Sequence, residues 1–199
     1  MQNIEIQILG KIKKAKRGTL FFADNFVNFG NAKSVNKALE RLVKSGKIDR
    51  VATGIYVRPK ILKTVGKIFP TIEEIVKSIA KRDKAKIVST GSYALNQLGL
   101  STQVPMNIVY LTDGAARIVK IGKMTIKLKK TVPRNVSTIG EISSLVIQAL
   151  RTIGKDNATD YEIRHIQNLL KTEKSTHLEY DIRLAPAWIR EIMKPALKK

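Results

Sequence analysis

Residues 31–58, NAKSVNKALERLVKSGKIDRVATGIYVR, decide the fold, because they have the pattern of one amphipathic helix followed by a short β-hairpin. Apolar side chains recur here at the spacing of a helix with one buried face, namely Val35, Ala38, Leu39, Leu42 and Val43. Gly46 follows where a helix end favours a left-handed residue. Residues 48–51 and 55–57 then alternate apolar with polar side chains about Thr53 and Gly54, which predicts a hairpin.

The opposite face of this helix is basic and rich in hydrogen-bond donors. It carries Lys33, Lys37, Arg41 and Lys44, flanked by Ser34 and Asn36. A helix that is apolar on one side and basic on the other, joined to a hairpin that bears arginines, is the construction of a winged helix-turn-helix. Such a helix enters the major groove of DNA while the wing contacts the backbone.

We therefore predict a DNA-binding surface of eight residues. Side chains in the first half of the helix would face base edges and nearby phosphates, and these are Lys33, Ser34, Asn36 and Lys37. The remaining four would mostly hold phosphates, and these are Arg41, Arg50, Thr53 and Arg58. The alternative is an ordinary solvated helix face, because runs of charge are usually solvated.

Two further helices are expected before this segment. Ile4, Ile8 and Ile12 place an apolar stripe on a first helix, and residues 20–29 predict a short second helix whose phenylalanines pack in the core. Together with the wing these elements predict a DNA-binding domain over residues 1–66. A connector bounded by prolines, residues 59–70, would link it to a second domain over residues 67–199.

The charge of the chain favours a polyanionic partner. Its 199 residues include 37 basic and 16 acidic side chains, for a net charge of +21. Lysine and arginine that neutralise phosphates release counterions, so this balance favours nucleic acid. Residues 67–139 alone carry 13 basic and 4 acidic side chains, which suggests that the second domain also touches nucleic acid.

The second domain is expected to be α+β, with a small, mainly antiparallel sheet packed by helices. A capping box at Thr71 and Glu74 opens a helix that runs to about Arg82. Four strands are expected near residues 86–88, 107–111, 116–121 and 124–128, the last three as successive antiparallel neighbours. Further helices are predicted at residues 92–98, 139–153, 161–170 and 187–197.

No constellation of residues predicts an enzyme, a metal site or a cofactor. Cysteine is absent, and the two histidines have no partner at a triad or metal-site spacing. Thr90-Gly91-Ser92 resembles the opening of a nucleotidyltransferase site, but Asp113 is the one acidic residue between Ser92 and Gly140. Two-metal phosphoryl transfer needs several carboxylates. The acidic residues from Glu141 onward alternate with lysine and arginine, which predicts solvated ion pairs.

The order of several motifs resembles the AbiEi family of antitoxins, from type IV toxin–antitoxin and phage-defence systems. The similar segments are ALERLVKSGKI at 38–48, GIYVRP at 54–59, TGSYAL at 90–95, LGLS at 98–101, YLTDG at 110–114 and LAPAWI at 184–189. The resemblance implies a transcriptional regulator that binds inverted repeats upstream of its own operon and represses it. It also implies a C-terminal domain that counters a nucleotidyltransferase-like toxin, with direct toxin binding left open.

Two other functions stay open at this stage. One is an RNA-binding protein without promoter function, although aromatic residues for stacking are few. The other is an inactive relative of the nucleotidyltransferases. No segment has the length of a membrane span or the pattern of a signal peptide, so we expect a cytoplasmic protein with no membrane partner. A dimer on DNA is compatible with the predicted module.

Overall fold

A computed structural model of the chain describes residues 3–197 and confirms an α+β fold. The chain divides into two compact units. Unit 1 contains Met1–Ile79 with Val119–Gly122, and unit 2 contains Ala80–Ile118 with Lys123–Lys199. The sequence predicts a boundary after residue 66, whereas the first unit also includes residues 67–79 and 119–122.

Unit 1 is built from helices, short strands and one 3-10 segment. Its elements are α1 (Ile4–Lys14), β1 (Leu20–Phe22), the 3-10 segment Ala23–Phe29, α2 (Ala32–Lys44), β2 (Asp49–Ala52), β3 (Ile55–Val57), β4 (Lys60–Leu62) and β5 (Gly66–Ile68). Helix α3 (Ile72–Asp83) crosses the division between the units. Thr71 and Glu74 form the expected capping box at its start, with N–H to oxygen distances of 3.2 and 2.7 Å.

The core of unit 1 lies under α2. Leu39 and Leu42 are fully buried, as are Ile8 of α1 and Phe26 of the 3-10 segment. The phenylalanines pack on one another, with 5.8 Å between the ring centroids of Phe21 and Phe26. The predicted stripe of α2 and the predicted core role of the phenylalanine cluster are therefore confirmed.

The second predicted helix was wrong in its first part. Residues Leu20–Phe22 form β1, which pairs antiparallel with β3, and a 3-10 segment replaces the expected helix after it. Adjacent Phe21 and Phe22 are both buried, although successive side chains of a strand point to opposite faces, so both faces of β1 are covered. The resulting antiparallel sheet has the order β1-β3-β2.

The connector at residues 59–70 was also predicted incorrectly, because it contains a hairpin. Strands β4 and β5 pair antiparallel, with Lys60 opposite Ile68 and Leu62 opposite Gly66. Each strand has only three residues, which is too short for a period-two pattern to show.

Unit 2 packs helices with a four-stranded sheet. Its elements are β6 (Ile87–Thr90), α4 (Ser92–Gln97), β7 (Asn107–Thr112), β8 (Arg117–Ile121), β9 (Met124–Lys130), the 3-10 segment Pro133–Val136, α5 (Glu141–Ile153), α6 (Asp160–Leu170), α7 (Ser175–Leu184), α8 (Ala187–Met193) and the 3-10 segment Lys194–Leu197. The last three residues of β8 are assigned to unit 1. Helices α4 to α8 share one apolar core, which includes the fully buried Val146, Leu150 and Ile166.

The sheet order is β6-β7-β9-β8, which differs from the predicted run of antiparallel neighbours. Strand β7 pairs antiparallel with β6 but parallel with β9. The two-residue connection Gly122-Lys123 makes the β8–β9 pair antiparallel, because a parallel pair needs a long crossover. Ile126 and Leu128 of β9 are buried, whereas Ile118 of β8 is 62% exposed, as expected for an inner and an edge strand.

Helix α7 was not predicted, and it carries a buried carboxylate. Asp181 is fully buried and accepts hydrogen bonds from the N–H groups of Ile139 and Gly140, each at 2.9 Å, and from the Ser143 hydroxyl. Glu173 accepts a 2.9 Å hydrogen bond from the Ile142 N–H. These two carboxylates cap the start of α5, so the prediction of solvated ion pairs was wrong for both.

Candidate nucleic-acid interface

Helix α2 has a defined start and end. The Asn31 side chain accepts a 2.9 Å hydrogen bond from the Ser34 N–H, which satisfies one free donor of the first turn. The first turn contains no acidic residue, so its partial positive charge is not offset there. At the other end Gly46 has a φ of 67°, the left-handed conformation that the sequence predicted.

The outward side of α2 presents the predicted cations to solvent. We call Lys33, Lys37, Arg41 and Lys44 the basic face, and all four side chains are exposed. Within residues 3–197 none of them forms an ion pair, although Glu40 lies on the same helix. The basic face is therefore free to contact an anionic ligand.

Asn36 and Ser34 differ in how far they reach solvent. Asn36 is exposed beside the basic face, whereas Ser34 is half-buried next to the N-cap. Both lie in the first half of the helix, near its partly positive N-terminal end. The structure thus brings together the four residues expected to reach base edges.

The wing carries two of the remaining predicted residues. Arg50 on β2 and Thr53 in the turn to β3 are both exposed. Arg50 lies opposite Tyr56 in the register of the two strands, and the pairing shifts between Arg50 and Ala52. Burial raises the pKa of the Tyr56 hydroxyl, an effect that the positive charge of Arg50 partly offsets.

Arg58 has a structural role in the fold. Its guanidinium donates hydrogen bonds to the main-chain oxygens of Lys13 and Ala15, at 3.2 and 3.0 Å, and so holds the end of α1. Arginine near a helix C-terminus satisfies carbonyl groups that lack a helical partner. We therefore remove Arg58 from the set of proposed phosphate contacts. Its position in the sequence did not indicate that it would bond to the end of α1.

The residues considered for nucleotidyltransferase, triad or metal chemistry make contacts within the fold. Asp113 accepts a 2.7 Å hydrogen bond from the Lys86 N–H, a contact between two segments that are distant in sequence. His165 Nε2 lies 2.8 Å from the Leu98 main-chain oxygen, and His177 Nδ1 lies 3.9 Å from Glu173. In the described part of the chain, no three His, Cys, Asp or Glu side chains are grouped to hold a metal ion.

The β4–β5 hairpin is the surface that sequence reasoning missed. We call residues 60–68 the ribbon, and its exposed side chains include Ile61, Leu62, Lys63 and Val65. The glycine at position 66 is the sequence signal for this hairpin, because it allows the φ of 82° found at the start of β5. The apolar segments on either side are too short to be distinguished from a linker.

Comparison with known proteins gives one family. A family model described as "Family of unknown function (DUF6088)" matches residues 7–178, which include both units. No curated protein sequence matches the chain. None of the helices within residues 3–197 has both the length and the apolar character needed to cross a membrane.

Proposed function

We propose that this chain, which belongs to the DUF6088 family of unknown function, is a regulator that binds double-stranded DNA through a winged helix-turn-helix in unit 1. The observation that carries the proposal is the basic face of α2. That helix buries Leu39 and Leu42 on one side, and on the other it presents four cations, none of which forms an ion pair in the described part of the chain. A DNA-recognition helix needs this division.

The order of elements in unit 1 supports the winged-helix assignment. Two helical segments precede α2, and the β2–β3 hairpin follows it directly. Strand β1 pairs with β3 and so fixes the hairpin to the segment between the helices. This arrangement keeps α2 and the wing in one unit, so that both can contact the same duplex.

The seven remaining residues of the proposed DNA-binding surface divide into two roles. Lys33, Ser34, Asn36 and Lys37 are placed to meet base edges and adjacent phosphates, because they lie in the first half of α2. Arg41, Arg50 and Thr53 would contact the phosphate backbone and thereby fix position without reading sequence.

The resemblance to AbiEi antitoxins extends the proposal to a biological role. We propose that the chain is a cytoplasmic, non-enzymatic antitoxin that represses its own operon at an inverted repeat. Unit 2 would counter a nucleotidyltransferase-like toxin encoded beside it. Co-expression of the chain with the product of the adjacent reading frame tests this role, since an antitoxin restores growth that the toxin arrests.

Lys37→Ala tests the DNA-binding proposal directly. We expect it to weaken binding to a selected operator duplex by about 1–3 kcal/mol if Lys37 reads a base. Gel-shift titration of the full chain measures the loss. Lys155→Ala removes an exposed lysine from unit 2 and serves as the matched control.

Competition between the operator duplex and transfer RNA separates DNA binding from RNA binding. We expect the duplex to displace RNA, with Lys37→Ala reducing that preference. Equal affinity of wild type and Lys37→Ala for every duplex would exclude Lys37 as a reader. Tighter binding of RNA than of any duplex would contradict the proposed function.

A further inference from the structure

The ribbon projects a small apolar tip beside lysine. Lys60–Leu62 and Gly66–Ile68 pair antiparallel, and Lys63, Thr64 and Val65 connect them. Val65 at this tip is 72% exposed, and Ile61 and Leu62 are 59% and 50% exposed. Apolar side chains grouped in this way on a surface indicate a binding site.

The root of the ribbon is held by hydrogen bonds and an ion pair, and among the described residues its tip makes no comparable contact. The Gly18 N–H donates to the Arg58 main-chain oxygen at 2.8 Å, and Arg17 donates to the Pro59 oxygen at 3.1 Å. At the other strand, Lys67 Nζ lies 2.9 Å from the Asp49 carboxylate of β2. An isolated two-stranded hairpin is marginal in water, so these anchors are what orient it.

The anchors also connect the ribbon to the proposed DNA-binding surface. Asp49 lies on β2, the strand that follows α2 and carries Arg50. The ribbon and the wing therefore share a base within unit 1. A ligand bound by the wing would therefore contact the same unit that carries the ribbon.

The charge of the ribbon identifies its partner. The ribbon contains three basic side chains, Lys60, Lys63 and Lys67, and no acidic one. Lys67 is paired with Asp49, but Lys63 is exposed, and within residues 3–197 it forms no ion pair. Two copies of the ribbon would repel one another, whereas a phosphate backbone complements them.

We propose that the ribbon enters the minor groove of duplex DNA, with Val65 as an apolar wedge against a base step and Lys63 on a phosphate. Proteins that bind the minor groove combine cations with branched or aliphatic side chains that partly unstack the bases. This inference rests on the proposed function of unit 1. It adds a second, minor-groove contact to the major-groove contact proposed for α2.

The experiment uses the full chain and a duplex that the chain has selected from a random-sequence pool. 2-Aminopurine is placed at successive positions, since its fluorescence rises when a base unstacks. We expect wild type to raise the fluorescence at one or two neighbouring steps and Val65→Ser to abolish that rise. Affinity should fall about three- to tenfold in Val65→Ser, because the apolar wedge is lost.

Controls separate a local effect from a general one. Val104→Ser changes a valine of unit 2 that is 64% exposed, and it should leave fluorescence and affinity unchanged. Lys63→Ala should weaken binding to all duplexes alike. Netropsin, which occupies the minor groove, should weaken wild type and have little effect on Val65→Ser.

Three outcomes would overturn the inference. In the first, Val65→Ser binds like wild type and neither protein changes the fluorescence at any position. In the second, sedimentation shows that Val65→Ser converts a dimer to a monomer, which means that a second copy covers the ribbon. If wild type binds no duplex at all, the proposed function fails as well; binding that depends on Lys37 but not on Val65 removes only the minor-groove contact.

Discussion

The carboxylate of Asp181 in α7 is fully buried in unit 2 and caps the start of α5. It accepts main-chain hydrogen bonds from Ile139 and Gly140, and Ser143 donates to it through its hydroxyl. A buried donor that loses its acceptor costs about 1–3 kcal/mol. The sequence could not show this role, because the partners of Asp181 lie about forty residues earlier and no local pattern links them.

Asp181→Asn tests the energetic role of this side chain. The amide keeps the shape of the carboxylate but replaces one acceptor oxygen with an NH₂ group that faces donors. We expect the free energy of unfolding to fall by about 2 kcal/mol in urea titrations. Glu179→Gln, an exposed change on the same helix, should have little effect, and an unchanged midpoint for Asp181→Asn would contradict the capping role.

Elements differ in how well the sequence predicts them. The buried face of helix α2 and its end near Gly46 were predicted, because thirteen residues show the helical period several times over. Strands β1, β4 and β5 have three residues each, so propensity and periodicity could not identify them. The parallel pairing of β7 with β9 was missed because either strand order places the same side chains on the same face.

Helix α1 offers a prediction at the scale of an element. Gly10 lies inside it, and a Cβ there would meet no heavy atom within 4 Å. Gly10→Ala should therefore stabilise the fold by about 1 kcal/mol, since glycine is the poorer helix former. Thermal unfolding measures the gain.

Gly140→Ala provides the opposite control for this substitution. A Cβ at Gly140 would lie 2.3 Å from the Ser143 hydroxyl and 2.6 Å from a Glu173 oxygen. The crowding should destabilise the protein by about 1–3 kcal/mol. If both variants became more stable, or both less stable, the space around each Cβ would not explain the changes in stability.

The whole molecule distributes its charge unevenly. Between Lys84 and Gly140 nine side chains are basic, and the single acidic one, Asp113, bonds to the Lys86 N–H. Lys127, Lys129 and Lys130 of β9 are exposed. The sequence predicted from this charge that the second part of the chain also touches nucleic acid, and the exposure of these lysines is compatible with that prediction.

The salt dependence of DNA binding measures how many phosphates the protein neutralises. The slope of log Kobs against log[salt] becomes steeper by about 0.9 for each phosphate neutralised on duplex DNA. Arg50→Ala should make this slope shallower by about 0.9 and weaken binding to all sequences alike. The double variant Lys127→Ala, Lys129→Ala should make it shallower by about 1.8 if unit 2 meets the backbone at both lysines. Lys155→Ala combined with Lys174→Ala removes two exposed charges from the helical part of unit 2 and should leave the slope unchanged. A slope for the β9 variant equal to that of wild type, beside a shallower slope for Arg50→Ala, would confine the DNA contact to unit 1.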